Sequence, residues 1–337
     1  MNKSKQFLTM SAIVGLCFTA TNANAGGMYS NNVGAINLNV ITEQMMSFAH
    51  YDENISDFIV VQSDYGTMTR LDEYGDDGTA KHTVKSDFDH SSLEKIAWAD
   101  VRYLNTKSDY SDNVSERSRI RMETLGFNTK DIDAAYGAFS FGAFLSNINE
   151  DIFSIRANGF SFGAFTHYKY HNFDLTGLVN NGSINKNAAY DMFNHSWINA
   201  AMDTSLNIRM TNTLYFRPKI YVGYTKVSAD KLKIGDDVAP KKDFRFVNVV
   251  PSAEITTRLA KNLYAALNGK YVTVYGDTDK NVYVNNAIID KTSMKDYAEF
   301  GLELEYDYRD FVFSGGIHKQ IEGFDGWVGD LNVRYLF

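Results

Sequence analysis

An alternation of apolar and polar residues near the C-terminus constrains the fold of this chain more than any other feature. Residues 296–309 read DYAEFGLELEYDYR, and every second residue from Phe300 to Tyr308 is phenylalanine, leucine or tyrosine. Successive side chains of a β-strand point to opposite faces, so this segment is predicted to be a strand with one apolar and one acidic face. Residues 310–320 and 326–337 repeat the pattern. The sequence therefore predicts three consecutive strands here.

A long apolar strand at the C-terminus needs a partner, because an unpaired edge promotes aggregation. A barrel provides the partner by pairing the last strand with the first, and a soluble β-sandwich is the alternative. The mean hydropathy of -0.30 is compatible with a membrane barrel, in which only alternate residues face lipid. The chain has 21 tyrosines and 23 phenylalanines, as expected for interfacial aromatic girdles, and only three prolines to interrupt the ladders.

Twelve strands can be placed in the sequence after Leu93. They are predicted at 94–104, 117–130, 133–147, 156–170, 172–182, 196–210, 213–228, 243–259, 262–275, 296–309, 310–320 and 326–337. Tight turns are predicted to alternate with long connections near 105–116, 148–155, 183–195, 229–242, 276–295 and 321–325. Outer-membrane barrels show this asymmetry, with short periplasmic turns and longer outer loops. The predicted fold is all-β, a 12-stranded antiparallel up-and-down transmembrane β-barrel with a short N-terminal extension.

The N-terminus has the pattern of a cleaved secretory signal peptide. Lys3 and Lys5 precede an apolar stretch over about 7–20, and an A-x-A site follows at 23–25. The signal peptide is therefore predicted at 1–25, and the mature chain begins near Gly26. Cys17 is the only cysteine, so the mature chain is expected to contain no disulfide and no thiol nucleophile. The net charge of -8 and the absence of a basic tract argue against nucleic acid as a partner.

Residues 26–92 form the extension and residues 93–337 the barrel. Residues 41–55 can be drawn as a helix with Met45 and Phe48 on one face, although a strand and loop fit about as well. The following residues are polar, with turn signals at Gly75 and Gly78. A segment of this length could scarcely form a large core of its own.

Several segments after Trp98 are similar to a known family. They are ETLGFNTKD at 123–131, AAYGAFSFGAFLSN, NTLYFRPKIYVGYTKV with Pro218 inside a strand, and DYAEFGLELEYDYRDFVFSGGI followed by DLNVRYLF. Together with the count of twelve strands, they resemble the C-terminal β-barrel translocator of bacterial autotransporters, the type V secretion proteins. The resemblance covers the region from about Trp98 to Phe337.

The resemblance implies assembly in the outer membrane of a Gram-negative cell envelope by the barrel assembly machinery, with an assembly signal at Val333, Tyr335 and Phe337. It also implies a helix threaded through the pore and an exported N-terminal passenger. The sequence departs from the family here, because a passenger would be at most the short stretch 26–92. In addition, no Asn-Asn pair stands at the barrel entry.

The sequence does not point to an enzyme, a cofactor or a metal site. His167 and His171 are four residues apart, which on a strand separates them by about 13 Å, too far for one metal ion. No spacing of acids or histidines matches a protease or phospholipase of the barrel type. The charged residues on the polar parities are instead expected to face the lumen, and the candidates are Arg217, Lys219, Glu299, Glu303, Glu305 and Arg334. They could pair across the lumen, hold a plug, bias ion selectivity, or only solvate and brace the wall.

The sequence therefore predicts a monomeric outer-membrane barrel that anchors, and translocates or displays, a short N-terminal segment. Its expected partners are outer-membrane lipid, lipopolysaccharide and the barrel assembly machinery. The alternatives are a porin-like diffusion pore and a surface adhesin that acts through its extracellular loops, especially 276–295.

Overall fold

A computed structural model provides the structure of the chain. It describes residues 95–111, 114–129, 132–134, 137–152, 155–170, 172–188, 191–211, 213–229, 232–234, 237–239, 242–260, 262–276, 279–284, 287–293, 296–322 and 325–337. The predicted signal peptide, the extension 26–92 and the ambiguous segment 41–55 lie outside these residues. Within the described ranges the chain forms strands and turns, and none of it is a helix that could cross a membrane.

Twelve long strands account for most of the described residues, which confirms the predicted count. They are β1 Lys95–Ser111, β2 Val114–Thr129, β3 Gly137–Ile152, β4 Ile155–Tyr170, β5 Phe173–Ala188, β6 Asp191–Leu206, β7 Leu214–Ala229, β8 Lys242–Ala260, β9 Leu263–Gly276, β10 Tyr297–Tyr308, β11 Phe311–Glu322 and β12 Asp325–Leu336. Each strand pairs antiparallel with the strand that follows it. The topology is therefore up-and-down.

The sheet closes because β12 pairs with β1. Twelve consecutive pairs join the two strands, from Ile96 opposite Leu336 to Lys107 opposite Asp325. Closure leaves no edge strand in the ring, so the last strand has the partner that the sequence required. We call the end of the barrel that contains Lys95 and Leu336 the terminal end, and the opposite end the distal end.

The register fixes the tilt of the strands. Paired residues can be followed from strand to strand once around the ring, from Thr257 in β8 through β9, β12 and β4. The line returns to β8 at Asp243, fourteen residues from where it started. With a rise of about 3.3 Å per residue and about 4.8 Å between strands, this stagger gives a tilt of roughly 39° and a backbone radius of about 12 Å. Both values are typical of membrane barrels with this number of strands.

The two faces of the ring differ as the alternation predicted. Large apolar side chains point outward and are exposed, including Phe300 at 56%, Leu304 at 47% and Leu331 at 68%. Side chains of the other parity, such as Glu299 and Glu305 at 2%, point inward and are buried. The outward face is the apolar band that lipid covers in a membrane barrel.

The strands extend further at the distal end than the sequence suggested. The segments 105–116, 148–155 and 183–195, predicted as long connections, lie mostly within β1 to β6 and leave gaps of two residues between strands. The expectation of long loops at these three places is therefore wrong. The predicted long connection at 321–325 is wrong for the same reason, since only two residues separate β11 from β12. The segments 229–242 and 276–295 contain short hairpins instead, formed by Leu232–Ile234 with Asp237–Ala239 and by Asp279–Val284 with Ala287–Ser293.

Two further short strands lie at the terminal end. Ile132–Ala134 pairs with β3 and Ile208–Arg209 pairs with β7. These strands line the turns that follow β2 and β6. The turns between β4 and β5, between β8 and β9 and between β10 and β11 contain only two residues each. The two longest connections, 230–241 and 277–296, lie at the distal end. The expectation of tight turns at 131–132 and 211–212 is wrong, because seven residues separate β2 from β3 and β6 from β7.

Candidate functional site

A polar cavity of about 120 Å³ lies inside the barrel, against the wall formed by β7 to β12 and β1. All six residues predicted to face the lumen line it: Arg217, Lys219, Glu299, Glu303, Glu305 and Arg334. Glu299 lies in the distal half of its strand, and the other five lie in the terminal half of theirs. The structure thus brings residues from β7, β10 and β12 together, although they are far apart in sequence.

Glu299 is the centre of the most connected part of the cavity wall. Lys270 Nζ lies 2.9 Å from its Oε1, and Gln320 Nε2 donates a hydrogen bond of 2.8 Å to its Oε2. His318 Nδ1 lies 3.5 Å from Glu299 Oε1, and His318 Nε2 lies 2.9 Å from Asp330 Oδ2. Four neighbouring strands are joined in this way, so the cluster braces the wall from β9 to β12.

A second group of contacts joins β5, β6 and β7. Arg217 Nη2 lies 3.7 Å from Asp174 Oδ2, and Arg217 Nε donates to Ser205 Oγ at 3.3 Å. Asp174 also accepts a hydrogen bond of 2.6 Å from Asn207 Nδ2. Beside this group, Lys219 Nζ lies 2.9 Å from Glu254 Oε2 on β8. Most of these side chains are nearly inaccessible to solvent, so each charge requires its partner.

The positive and negative charges that line the cavity are equal in number. The cations are Arg102, Arg217, Lys219, Lys270 and Arg334, and the carboxylates are Glu254, Glu299, Glu303, Glu305 and Asp330. Five cations against five carboxylates give the wall no net charge if His318 is neutral. A ring that selects ions usually carries one sign of charge. The balance applies to this cavity only, because the carboxylates of Asp100, Glu150, Asp174, Asp203 and Asp307 are also buried on inward faces of the ring. The contacts between strands, and not the net charge, therefore support a bracing role.

An apolar lining of the distal half was not predicted from the sequence. Inward-facing residues there are almost fully buried and belong to one contiguous cluster: Leu104, Ile120, Ile148, Ile184, Val227, Phe244, Phe246, Val272, Tyr297 and Val328. We call these ten residues the distal apolar lining. The sequence signal for it differs between strands. FRFVNVV at 244–250 has apolar residues on both parities, whereas Ile120 and Ile148 each stand between two polar residues.

The histidine pair considered in the sequence does not form a site within the described residues. His167 Nε2 lies 3.5 Å from Asp174 Oδ1, whereas His171 is outside the described residues. The described part of the chain contains no group of three or more histidine, cysteine, aspartate or glutamate residues placed to hold a metal ion. His167 belongs to the charged group around Asp174.

The three residues of the predicted assembly signal lie on the outward face at the terminal end. The Tyr335 and Phe337 rings are stacked with centroids 5.5 Å apart, and Phe311 lies 4.9 Å from Tyr335. Phe127 on β2 lies 6.4 Å from Phe337, so aromatic contacts continue across the junction of β12 and β1. Val333 is on the same face, with a partly exposed side chain.

The closed ring of twelve tilted strands, apolar outside and polar inside, defines this chain as a transmembrane-type β-barrel. Its fold is that of the autotransporter translocator domains. It is similar to the β-domain of the Bordetella autotransporter BrkA, with a TM-score of 0.60 and 11% identity over 72% of this chain and 100% of that one.

Two further translocators show the same similarity. The transport unit of AIDA-I from Escherichia coli aligns with a TM-score of 0.55 and 12% identity over 82% of this chain and 99% of that one. The translocator domain of NalP from Neisseria meningitidis aligns with a TM-score of 0.53 and 12% identity over 83% and 98%. No protein-family profile and no curated protein sequence matches this chain. At these identities the comparison establishes the fold, and function requires a separate argument.

Proposed function

We propose that this protein is an outer-membrane barrel of the autotransporter translocator type, which anchors its own short N-terminal segment and holds it in the lumen. The observation that carries the proposal is the closed barrel whose first strand begins beside its last residue. The first strand begins at the terminal end, so the shortest route by which the chain before Lys95 could reach the distal end is through the lumen. The predicted signal peptide would direct the chain out of the cytoplasm.

The width and the lining of the lumen favour a segment of the chain as its occupant. A backbone radius of about 12 Å leaves, after a layer of side chains on each side, a space about as wide as one α-helix. The distal apolar lining would be costly to expose to water, at about 25 cal/mol per Å² of apolar surface. A segment with both apolar and polar residues, such as 41–55, would cover that lining and leave its polar side toward the charged wall.

Single-channel conductance tests this proposal. Refolded protein of residues 26–337 is compared with refolded 90–337 in a planar bilayer, after both are shown to be heat-modifiable barrels. We expect the shorter protein to conduct more, because removal of the segment opens the lumen. Equal conductance of the two proteins would contradict the proposal and favour a diffusion pore. A tag near Gly27 that a protease removes from intact cells would further show that the segment is displayed.

A second function is favoured by one observation. The strands Asp279–Val284 and Ala287–Ser293 pair with each other in a separate two-stranded sheet at the distal end, between β9 and β10. A hairpin in the connection between two barrel strands is a common position for a binding surface. The hairpin could therefore carry an adhesive function in addition to the anchoring role.

A further inference from the structure

The outward face of β2, β3 and β4 interrupts the apolar band near the distal end. In one register row, Arg119 lies beside Asp151, and Asp151 lies beside Arg156. The next rows toward the terminal end pair Arg121 with Asn149 and Glu123 with Asn147. We call the outward-facing residues of 119–123, 147–151 and 156–158 the polar patch.

The opposite wall is polar only in its outermost rows, where Ser228 faces Asp243 and Lys226 faces Arg245. On β7 and β8 the outward residues Tyr224 and Val247 face each other, as do Val222 and Val249 in the next row. The rows of Arg121 with Asn149 and of Glu123 with Asn147 therefore carry the polar patch further toward the terminal end than the polar rows of the opposite wall.

The patch reaches into the band itself. Glu123 is paired with Val101, which is paired with the lipid-facing Leu331, and on the other side Asn147 is paired with the exposed Phe160. Arg121 Nη2 lies 2.5 Å from Glu123 Oε1, and Asn147 Nδ2 donates to Glu123 Oε2 at 3.2 Å. Charged groups on the lipid-facing side of a barrel are unfavourable unless they find polar partners. Arg121 and Asn147 supply such partners to Glu123, so a ligand would meet the exposed side chains of the patch, such as Arg119 and Arg156.

The charges of the patch and its border favour an anionic ligand. The described cations that face outward here are Lys107, Arg119, Arg121, Arg156 and Lys319, against the carboxylates Glu123, Asp151 and Asp325. Arg156 Nε is 3.8 Å from Asp151 Oδ1, but the two side chains are 53% and 62% exposed, so solvent weakens the pair. Exposed guanidinium groups such as those of Arg119 and Arg156 bind phosphate oxygens in a bidentate manner.

We propose that the polar patch binds the phosphorylated sugar headgroup of a lipopolysaccharide molecule in the outer leaflet. This inference rests on the proposed location in the outer membrane. The acyl chains would lie on the apolar band below the patch, beside Leu125 and Leu145. The arginines would contact the phosphates, and the asparagines would donate to and accept from the sugar hydroxyls.

Native mass spectrometry of refolded residues 26–337 in detergent tests the proposal. The probes are lipopolysaccharide, the same lipid after removal of its lipid A phosphates, and phosphatidylglycerol. We expect lipopolysaccharide to bind most tightly. The Arg119→Ala/Arg156→Ala double variant should bind it about tenfold more weakly, since two charge-assisted contacts are lost. An Arg119→Lys/Arg156→Lys variant, which keeps the charge, should bind with intermediate affinity.

Arg245→Ala provides the matched control, because Arg245 is exposed and faces outward near the distal end of β8 on the opposite wall. Unchanged binding by the double variant, an equal loss in Arg245→Ala, or equal binding of phosphatidylglycerol would overturn the proposal. Detection of a particle with twice the mass of the protein would also overturn it, because the patch would then be a contact with a second copy of the chain. Recovery of the double variant as a heat-modifiable barrel from outer membranes tests the proposed location separately, whatever the lipid result.

Discussion

Gly301 lies beneath the His318 ring, and this contact offers the sharpest test at the scale of single residues. A Cβ on Gly301 would overlap His318 Nδ1 and would lie 2.6 Å from Asn268 Oδ1. We expect Gly301→Ala to lower the free energy of unfolding by about 1–3 kcal/mol, because the ring must leave its contacts with Glu299 and Asp330. Urea titration of the refolded barrel in detergent measures the change.

Gly329 supplies the matched control, since a Cβ there would meet no described atom nearer than Gly316 O at 4.0 Å. Gly329→Ala should be close to neutral. Similar losses in the two variants would show that the His318 cluster does not brace the wall.

Lys270 and Glu299 test whether the interior charges act as pairs. Their side chains are only 13% and 2% exposed, so loss of Lys270 leaves a buried carboxylate with fewer partners. We expect Lys270→Ala to cost about 3 kcal/mol of unfolding free energy. The double variant Lys270→Ala/Glu299→Gln should cost less, because it removes the charge as well. Urea titration measures both.

The control for this pair is Lys226→Ala. Lys226 Nζ lies 3.1 Å from Asp243 Oδ2, but the two side chains are 37% and 39% exposed. Its loss should cost less than about 1 kcal/mol, as is usual for a surface pair. A double variant as unstable as Lys270→Ala would contradict the pairwise account.

Phe337 tests the predicted assembly signal. Deletion of Phe337 should reduce the amount of heat-modifiable barrel recovered from the outer membrane, because the terminal aromatic residue of the proposed signal is gone. Phe127→Ala removes the ring that lies 6.4 Å away but keeps the C-terminus, and it should assemble normally. A normal yield of the deletion variant would remove Val333, Tyr335 and Phe337 from the proposed signal.

At the scale of strands, alternation in the sequence predicted the parts of strands that have one face toward lipid. It missed the parts of the barrel whose residues do not alternate for that reason. Strands such as β10 and β12 were predicted because one face meets lipid and the other water, which produces strict alternation. At the distal ends of β1 and β2 the segments around 105–116 are polar on both parities, so alternation disappears although the strands continue. The distal apolar lining was missed for a different reason. Ile120 and Ile148 face the lumen while their polar neighbours face outward, which is the reverse of the expected pattern.

The positions of the inward-facing charged residues were likewise predicted only in part. The parity of Glu299 and Arg334 within their own strands was enough to predict that they face inward. The partners of Glu299, such as Lys270 and His318, lie on neighbouring strands and depend on the register, which alternation does not specify. Register follows from turn geometry and from the packing of the whole ring.

The hairpin formed by Asp279–Val284 and Ala287–Ser293 can be tested as an element. Since its two strands form a sheet of their own, replacement of residues 279–293 by a short Gly-Ser linker should leave the barrel heat-modifiable and its urea midpoint nearly unchanged. If the hairpin is adhesive, cells that carry the shortened protein should lose surface binding. Failure of the shortened protein to fold would show that the hairpin belongs to the barrel.

At the scale of the whole molecule, closure determines the other properties. Twelve strands with this stagger set a lumen about as wide as one helix, and the pairing of β12 with β1 places both ends of the barrel domain at one end of the cylinder. Three proposals depend on this arrangement: the anchoring role, the position of the N-terminal segment, and the placement of the polar patch in the outer leaflet.

Closure can be measured directly because the chain after Cys17 contains no cysteine. Ala99 and Val333 are register partners on β1 and β12. The Ala99→Cys/Val333→Cys variant, refolded and treated with a short thiol cross-linker, should give a circular product with altered migration after denaturation. The control Ala99→Cys/Ile255→Cys, with its second cysteine on β8 across the ring, should remain linear. Absence of the circular product from the β1–β12 variant, or its equal formation in the control, would contradict the closed barrel.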